Sequence, residues 1–275
     1  MDLTCEHCEK SELMSGPVDT NYFPLTMRFV FSGRAAEVRR PGYPRPRRAP
    51  ERERLFAPRF PSMLSAEPGR AVRRIEAASV LGGGIALAGS WVVVAVGHGV
   101  PEWEVAIFER VNELPDVLWP VVWGPMQIGS LLGSVVVVAG TFAATRKHRL
   151  TLATLAASQA AWWGAKAVKS IVGRGRPSAL LVDVNLRAKA SGVGFVSGHA
   201  AVAFALAAVL APSLPRAGRA PAFALASFVA VARLYSGSHL PLDAVGGAGV
   251  GVLSGTLSRW ALGLGGEGLP VRERD

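Results

Sequence analysis

The sequence predicts an all-α protein: a polytopic membrane helical bundle of six transmembrane helices, preceded by a disordered basic N-terminal arm. Three observations lead there. Half of the 275 residues are hydrophobic, and they concentrate after Ile75. They fall into six runs of roughly the 20 residues that a bilayer's hydrocarbon core requires. Basic residues collect in alternate connections, as they do on the cytoplasmic side of membrane proteins. The expected divisions are residues 1–70 for the arm, 71–264 for the membrane domain and 265–275 for a short cytoplasmic tail.

The arm lacks hydrophobic periodicity and is rich in Pro, Arg and Glu. Such a segment buries too little apolar surface to offset its ordering entropy. No apolar stretch of signal-peptide length follows Met1, so no signal peptide is expected, and Met27 and Met63 are alternative starts. Cys5 and Cys8, even with His7, supply too few ligands for a closed zinc site. The net charge of +10 raises the question of nucleic acid, and its distribution answers it. Through Arg74 there are fourteen Lys and Arg against nine Asp and Glu, an excess of five that lies ahead of the membrane domain. A basic arm there sets orientation and touches anionic lipid headgroups, and no nucleic-acid partner is expected.

The first span covers about 75–100. Residues 101–120 carry five acids and one arginine, with Ile107, Val111, Leu114 and Leu118 on one helical stripe, which reads as a short helix lying at the interface. The second span, about 121–144, has Trp119 and Trp123 as interface anchors. The basic turn 145–149 leads into the third, about 150–168, whose Trp162 and Trp163 read as packing or interface residues. A loop over 178–196 contains Asp183, Arg187 and Lys189. The fourth span begins at His199 and ends near Leu214; the basic turn 215–219 leads to the fifth, about 220–235. The sixth, about 241–264, is punctuated by glycines. On this count the arm, both basic turns and the tail face the cytoplasm. The acidic 101–120 segment faces outward, and the protein is expected in the plasma membrane.

Three polar clusters interrupt these runs, all on the expected outer side. The first is Lys169 through Arg176-Pro177, the second Ser197-Gly198-His199, and the third runs from Arg233 through His239 to Asp243. Ionisable residues beside membrane segments are costly and mark functional sites. Three cations, two histidines and a carboxylate suit phosphoryl transfer through a histidine nucleophile. Lys169, Arg176 and Arg233 can neutralise phosphate oxygens, the arginines in bidentate fashion. Arg174, between motif positions, is a weaker candidate. Ser197 and Gly198 precede an apolar run as a helix cap should, and the free N–H groups of that terminus suit an anion. Pro241 suits the first turn of a helix that brings Asp243 within reach of His239. A carboxylate accepting from Nδ1 would leave Nε2 as the nucleophile. His98 and His148 belong to no cluster and read as interface or loop residues.

The three clusters resemble the signature of the type 2 phosphatidic acid phosphatase superfamily, the membrane-embedded lipid phosphatases. Lys169, six residues and Arg176-Pro177 are similar to its first motif. Ser197-Gly198-His199 is similar to the second, with Val196 where the family usually has proline. Arg233, five residues, His239, three residues and Asp243 are similar to the third, with Ala232 in place of the usual serine. The resemblance covers about residues 71–264. It implies that His239 attacks phosphorus, that Asp243 orients it, and that His199 protonates the leaving oxygen and then activates water. It implies a lipid phosphate substrate, either a polyprenyl diphosphate or a lipid of the phosphatidic acid type. With three cations in the place that magnesium takes elsewhere, neither metal nor cofactor is expected. Two other readings stay open: a phosphotransferase of the same family, and a catalytically silent lipid-binding membrane protein. The complete set of His199, His239 and Asp243 argues against the second.

Overall fold

A computed structural model of the chain describes residues 28–31, 34–37, 68–97 and 99–265. The chain divides into two units, residues 1–61 and 62–275. In the first, β1 (Arg28–Phe31) pairs antiparallel with β2 (Arg34–Glu37), Arg28 opposite Glu37. Phe29, Val30 and Phe31 are strong strand formers followed by Ser32-Gly33, a turn-forming pair. The hairpin departs from the expectation of an arm without structure, over these few residues. The rest of the arm, with Cys5, His7 and Cys8, lies outside the described residues, as does His98.

The described secondary structure of the second unit is helical. It comprises α1 (Pro68–Val96), α2 (Glu102–Asn112), α3 (Trp119–Met126), α4 (Leu131–Thr145), α5 (His148–Val172), the single turn α6 (Pro177–Leu180), α7 (Gly198–Leu210), α8 (Arg216–Tyr235) and α9 (Pro241–Ala261). Every expected span has a helical counterpart, but six crossings do not follow. By length and composition α1 (from Arg74) and α8 can cross a membrane, and α3 with α4 adds a third if the bent pair is one span.

The second span is not straight. It breaks between α3 and α4 with a bend of 68°. Ser130 causes the break: its hydroxyl accepts from the Gly133 N–H at 2.9 Å, starting a new helix, and donates to the Gln127 carbonyl at 2.7 Å, ending the old one. At thirteen residues α7 is about 20 Å long, short of the roughly 30 Å hydrocarbon core. It sits at the centre of the bundle, buried along most of its length. A helix surrounded by others needs neither full length nor a lipid-facing surface. Large apolar side chains are exposed on α1, α4 and α8 among others, including Ile75, Leu81, Ile85, Val92, Leu132, Val136, Phe228 and Val231.

The most extensive helix pairing is α7 on α9, with α1 on the far side of α9. Its basis is a stripe of small residues. Gly247, Gly251 and Gly255 recur every four residues on α9 and meet the carbonyls of Ser197, Ala201 and Ala205, which recur with the same period on α7. A Cβ at Gly255 would lie 2.7 Å from the Ala205 oxygen, and at the other two the approach is closer still. Small residues that admit a neighbouring backbone are how helices associate where lipid removes the hydrophobic drive. This seam joins the N-termini of α7 and α9 at one end of the bundle, where α5 and α8 also finish. At the other end Arg259 donates to the Val209 carbonyl at 2.9 Å and the Ser213 hydroxyl at 3.3 Å.

Gly251→Leu should therefore separate the α7–α9 seam and lower the thermal midpoint in detergent by about 5 °C or more, the range of a forced overpacking. Gly140→Leu on α4, whose added Cβ would meet no atom within 4 Å, should leave the midpoint within about 2 °C. Circular dichroism melts of both variants make the comparison.

Candidate active site

All three polar clusters come together at the end of the bundle where α7 and α9 begin. Ser197 is fully buried as the N-cap of α7, its hydroxyl accepting from the Ala200 N–H at 3.4 Å. Its own N–H donates to the Asp243 carbonyl at 2.8 Å, so the second and third clusters are joined through the backbone. Gly198 lies under Trp162, whose ring would be 3.8 Å from an added Cβ; that tryptophan packs against the site. His199 is half-buried in the first turn of α7, within electrostatic range of Arg233, His239 and Arg176.

His239 lies in the turn between α8 and α9, and Pro241 opens α9 as expected. Asp243 caps that helix by accepting the Leu240 N–H at 3.0 Å on Oδ2. The same Oδ2 lies 3.4 Å from His239 Nδ1, and His239 Nε2 faces Arg176 Nη1 at 3.5 Å. A guanidinium carries no lone pair, so the ring nitrogen facing it has to be the unprotonated one. The proton then sits on Nδ1, toward Asp243. The turn also keeps imidazole neutral: burial pushes the His239 pKa down to about 4, against the opposing pull of Asp243.

The cations divide into distinct tasks. Lys169 ends α5 and donates to the carbonyls of Val193 at 2.9 Å and Gly194 at 2.8 Å, pinning the loop before Ser197 and leaving one of its three N–H groups. Gly194 has to be glycine, because a Cβ would lie 2.6 Å from the Gly175 oxygen. Arg176 donates to the Ser191 carbonyl at 2.9 Å and the Ser238 carbonyl at 2.8 Å, tying the first cluster to the third. Arg233 is 6% exposed; its Nη1 meets the thioether of Met126 at 3.5 Å and its Nε has no hydrogen-bond partner. A buried guanidinium with an unsatisfied donor is costly unless an anion occupies the space before it. Met126 arrives there because the α3–α4 bend lies against the site: Gly129 touches the His199 carbonyl, and an added Cβ would lie 2.5 Å from it.

Arg174, between the motif positions, pairs with two carboxylates. It forks onto Glu104 of α2, its Nη1 3.1 Å from Oε1 and its Nη2 on Oε2, and the same Nη1 reaches Asp243 Oδ1 at 3.0 Å. Burial is the largest single influence on its pKa and pulls it down, but the two carboxylates together outweigh burial and raise it. Glu104 is fully buried and also accepts the Leu242 N–H at 2.8 Å. The sequence reading missed it. Glu104, Phe108 and Asn112 are the buried positions of α2 and recur every four residues; of the expected apolar stripe, Val111 packs against the cluster around Phe108, while Ile107, Leu114 and Leu118 are exposed. The four-residue spacing of these positions, on a stripe beside the apolar one, was the available signal.

The 178–196 loop is pinned to the same helix. Asn112 accepts the Asn185 N–H at 2.8 Å and donates to the Asn185 carbonyl at 3.0 Å and that of Tyr235 at 3.1 Å. Arg187 donates to Asp116 at 2.7 Å and to the carbonyls of Asn112, Leu114 and Tyr235, and stacks 4.1 Å over the Tyr235 ring. Among the described residues no group of three or more His, Cys, Asp or Glu is arranged to hold a metal.

Because the folded His239 pKa lies below the ordinary value near 6.5, the neutral ring favours the folded state. That contribution is fully present above about pH 6.5 and is lost as pH falls toward 4. Thermal midpoints of the native protein and His239→Gln should therefore differ by a constant amount above pH 6.5. Between pH 6.5 and 4 the native protein should lose ground steadily to the variant.

Residues 147–264 match the PAP2 superfamily model. LpxE from Aquifex aeolicus has a solved structure 26% identical to this chain, with a TM-score of 0.52 over 56% of this chain and 93% of that one. The first transmembrane PAP2 type phosphatidylglycerolphosphate phosphatase from Bacillus subtilis is 23% identical, with a TM-score of 0.55 over 65% of this chain and 94% of that one, a likeness of fold. No curated protein gives a significant match. All three polar clusters lie inside the matched stretch.

Proposed function

We propose that this chain is an integral-membrane lipid phosphatase that removes phosphate from a lipid phosphate mono- or diphosphate ester through a phosphohistidine on His239. The observation that carries the reading is the buried Arg233 with an unpartnered Nε, in electrostatic range of both His199 and His239. A phosphate monoester brings nearly two negative charges and acceptor oxygens on several sides. Arg233, Arg176 and the remaining N–H of Lys169 surround that space with fixed donors and take the part that metal ions play in other phosphoryl-transfer sites. No metal is required on this account.

In the first step the lone pair of His239 Nε2 forms the N–P bond as the P–O bond to the lipid breaks. His199, charged once the phosphate dianion sits beside it, gives its proton to the departing oxygen. The ring of His239, neutral before attack, becomes cationic with its proton still on Nδ1, where Asp243 faces it. In the second step a water oxygen attacks phosphorus, the N–P bond breaks, and the water proton returns to His199. The substrate class is a polyprenyl diphosphate or a lipid of the phosphatidic acid type. The Bacillus subtilis neighbour, described as a phosphatidylglycerolphosphate phosphatase, supports a lipid phosphate. The clusters sit at the end of the bundle opposite the basic 145–149 and 215–219 turns, which supports a site on the extracytoplasmic face of the plasma membrane, with both termini cytoplasmic.

The two histidines separate kinetically. Without its general acid, His199→Ala should lose about 10²–10⁴-fold on a lipid monoester. With nitrophenyl phosphate, whose leaving group needs little protonation, it should still release one equivalent of nitrophenolate in a burst. His239→Ala should show neither burst nor turnover. Rapid-mixing traces of both variants decide it: a burst in His239→Ala and none in His199→Ala would reverse the assignment.

A further inference from the structure

We propose that Glu104 is a positioning residue for the phosphoryl transfer, acting on His239 through Arg174 and Asp243. The inference rests on the reading above, in which His239 is the nucleophile and Asp243 its orienter.

Glu104 reaches the site from α2, some seventy residues before Arg174 in the chain, and holds two things there. Its Oε1 accepts the Leu242 N–H at 2.8 Å, fixing the first turn of α9 one residue from Asp243. Its two oxygens also hold the guanidinium of Arg174, which leaves Nη1 shared between Glu104 Oε1 and Asp243 Oδ1. Arg174 therefore touches only one oxygen of Asp243. The other, Oδ2, is kept for the Leu240 N–H and for His239 Nδ1. Without Glu104 the planar fork of Arg174 would be free to close on both oxygens of Asp243, since arginine pairs with carboxylates in that bidentate way. Oδ2 would then be drawn from the imidazole.

Charge points the same way. Arg174 alone would cancel Asp243 and leave a neutral pair behind the ring. Glu104 adds a second carboxylate, so the three groups carry a net charge of −1 (two acids, one base). That charge faces an imidazole that becomes cationic as the N–P bond forms, so the interaction strengthens in the transition state. Such an interaction acts on kcat and leaves KM alone. All three groups are almost fully buried, Glu104 and Asp243 completely, so solvent screens the effect little.

The test uses the full-length protein in mixed micelles with phosphatidic acid as the lipid monoester. Glu104→Gln keeps the shape and an acceptor for Leu242 but removes the charge. It should lower kcat about 10–100-fold, the range known for partners that orient a functional histidine from behind, with KM within about 2-fold. In an Asp243→Asn background the same change should cost less than about 2-fold, because its route to His239 is already cut. Glu104→Gln/Arg174→Gln restores the net charge of −1, now on Asp243 alone, which keeps the Leu240 N–H and still faces His239 Nδ1. It should recover kcat to within about 10-fold of the native enzyme. Equal losses in both backgrounds, or a double variant no faster than Glu104→Gln, would overturn the proposal. Native kcat in Asp243→Asn would instead overturn the underlying reading of Asp243.

Discussion

The buried chain of opposite charges from Glu104 through Arg174 to Asp243 is the interaction on which the site depends. It joins three separate parts of the sequence: α2, the loop after α5 and the first turn of α9. Ions this deep are expensive to desolvate, and removing one partner from such a set costs roughly 3–5 kcal/mol. The arrangement tolerates that because nearly every lone pair is satisfied. Glu104 takes the Leu242 N–H, Asp243 takes the Leu240 N–H, and each accepts from Arg174. Among the described residues of the site, Arg233 Nε is the buried nitrogen left without a hydrogen-bond partner, and it lies where the proposed mechanism needs an anion. Full satisfaction on one side of His239 and a vacant donor on the other is an asymmetry expected of a nucleophile held from behind and approached from the front.

Helix packing makes that chain possible. The backbone-to-backbone seam between α7 and α9 fixes the relative height of two helix N-termini, one bearing Ser197 to His199 and the other Asp243. The Ser197 N–H to Asp243 carbonyl bond, at 2.8 Å, is the last rung of that seam. Around it the bent α3–α4 element brings Met126 and Gly129 against Arg233 and His199, and α2 covers the site with Phe108 packed on Leu234, Leu240 and Ala244. Neither α1 nor α4 contributes a side chain to the three clusters, and both expose large apolar residues such as Ile85 and Val136.

Much of the site was legible from residue order alone, because cations and histidines at the ends of apolar runs are costly and are seldom kept for packing. Ser197 as a cap, Pro241 as a helix opener and Asp243 within reach of His239 all follow from local rules, and the structure has them. Glu104 was not legible for a physical reason. A glutamate on the polar side of an amphipathic helix reads as solvated, and its partner is seventy residues away. Lys169 and Arg176 read as phosphate ligands, and the sequence held no sign that both also tie down loop carbonyls at 193, 194, 191 and 238. Against six expected spans, two described helices, or three with the bent pair taken as one, are long and apolar enough to cross a membrane. Ser130 inside a hydrophobic run marked the break, and the glycines of α9 marked a helix shaped for protein contact.

The central claim is that phosphorus meets Nε2 of His239 in front of Arg233. A crystal structure of the protein with vanadate, a mimic of the five-coordinate phosphoryl transition state, tests it most directly. The account predicts vanadium bonded to His239 Nε2, an equatorial oxygen within hydrogen-bond distance of Arg233 Nε, and His199 facing the apical oxygen opposite His239. Vanadium bonded to His199, or seated away from Arg233 with its Nε still unpartnered, would contradict it.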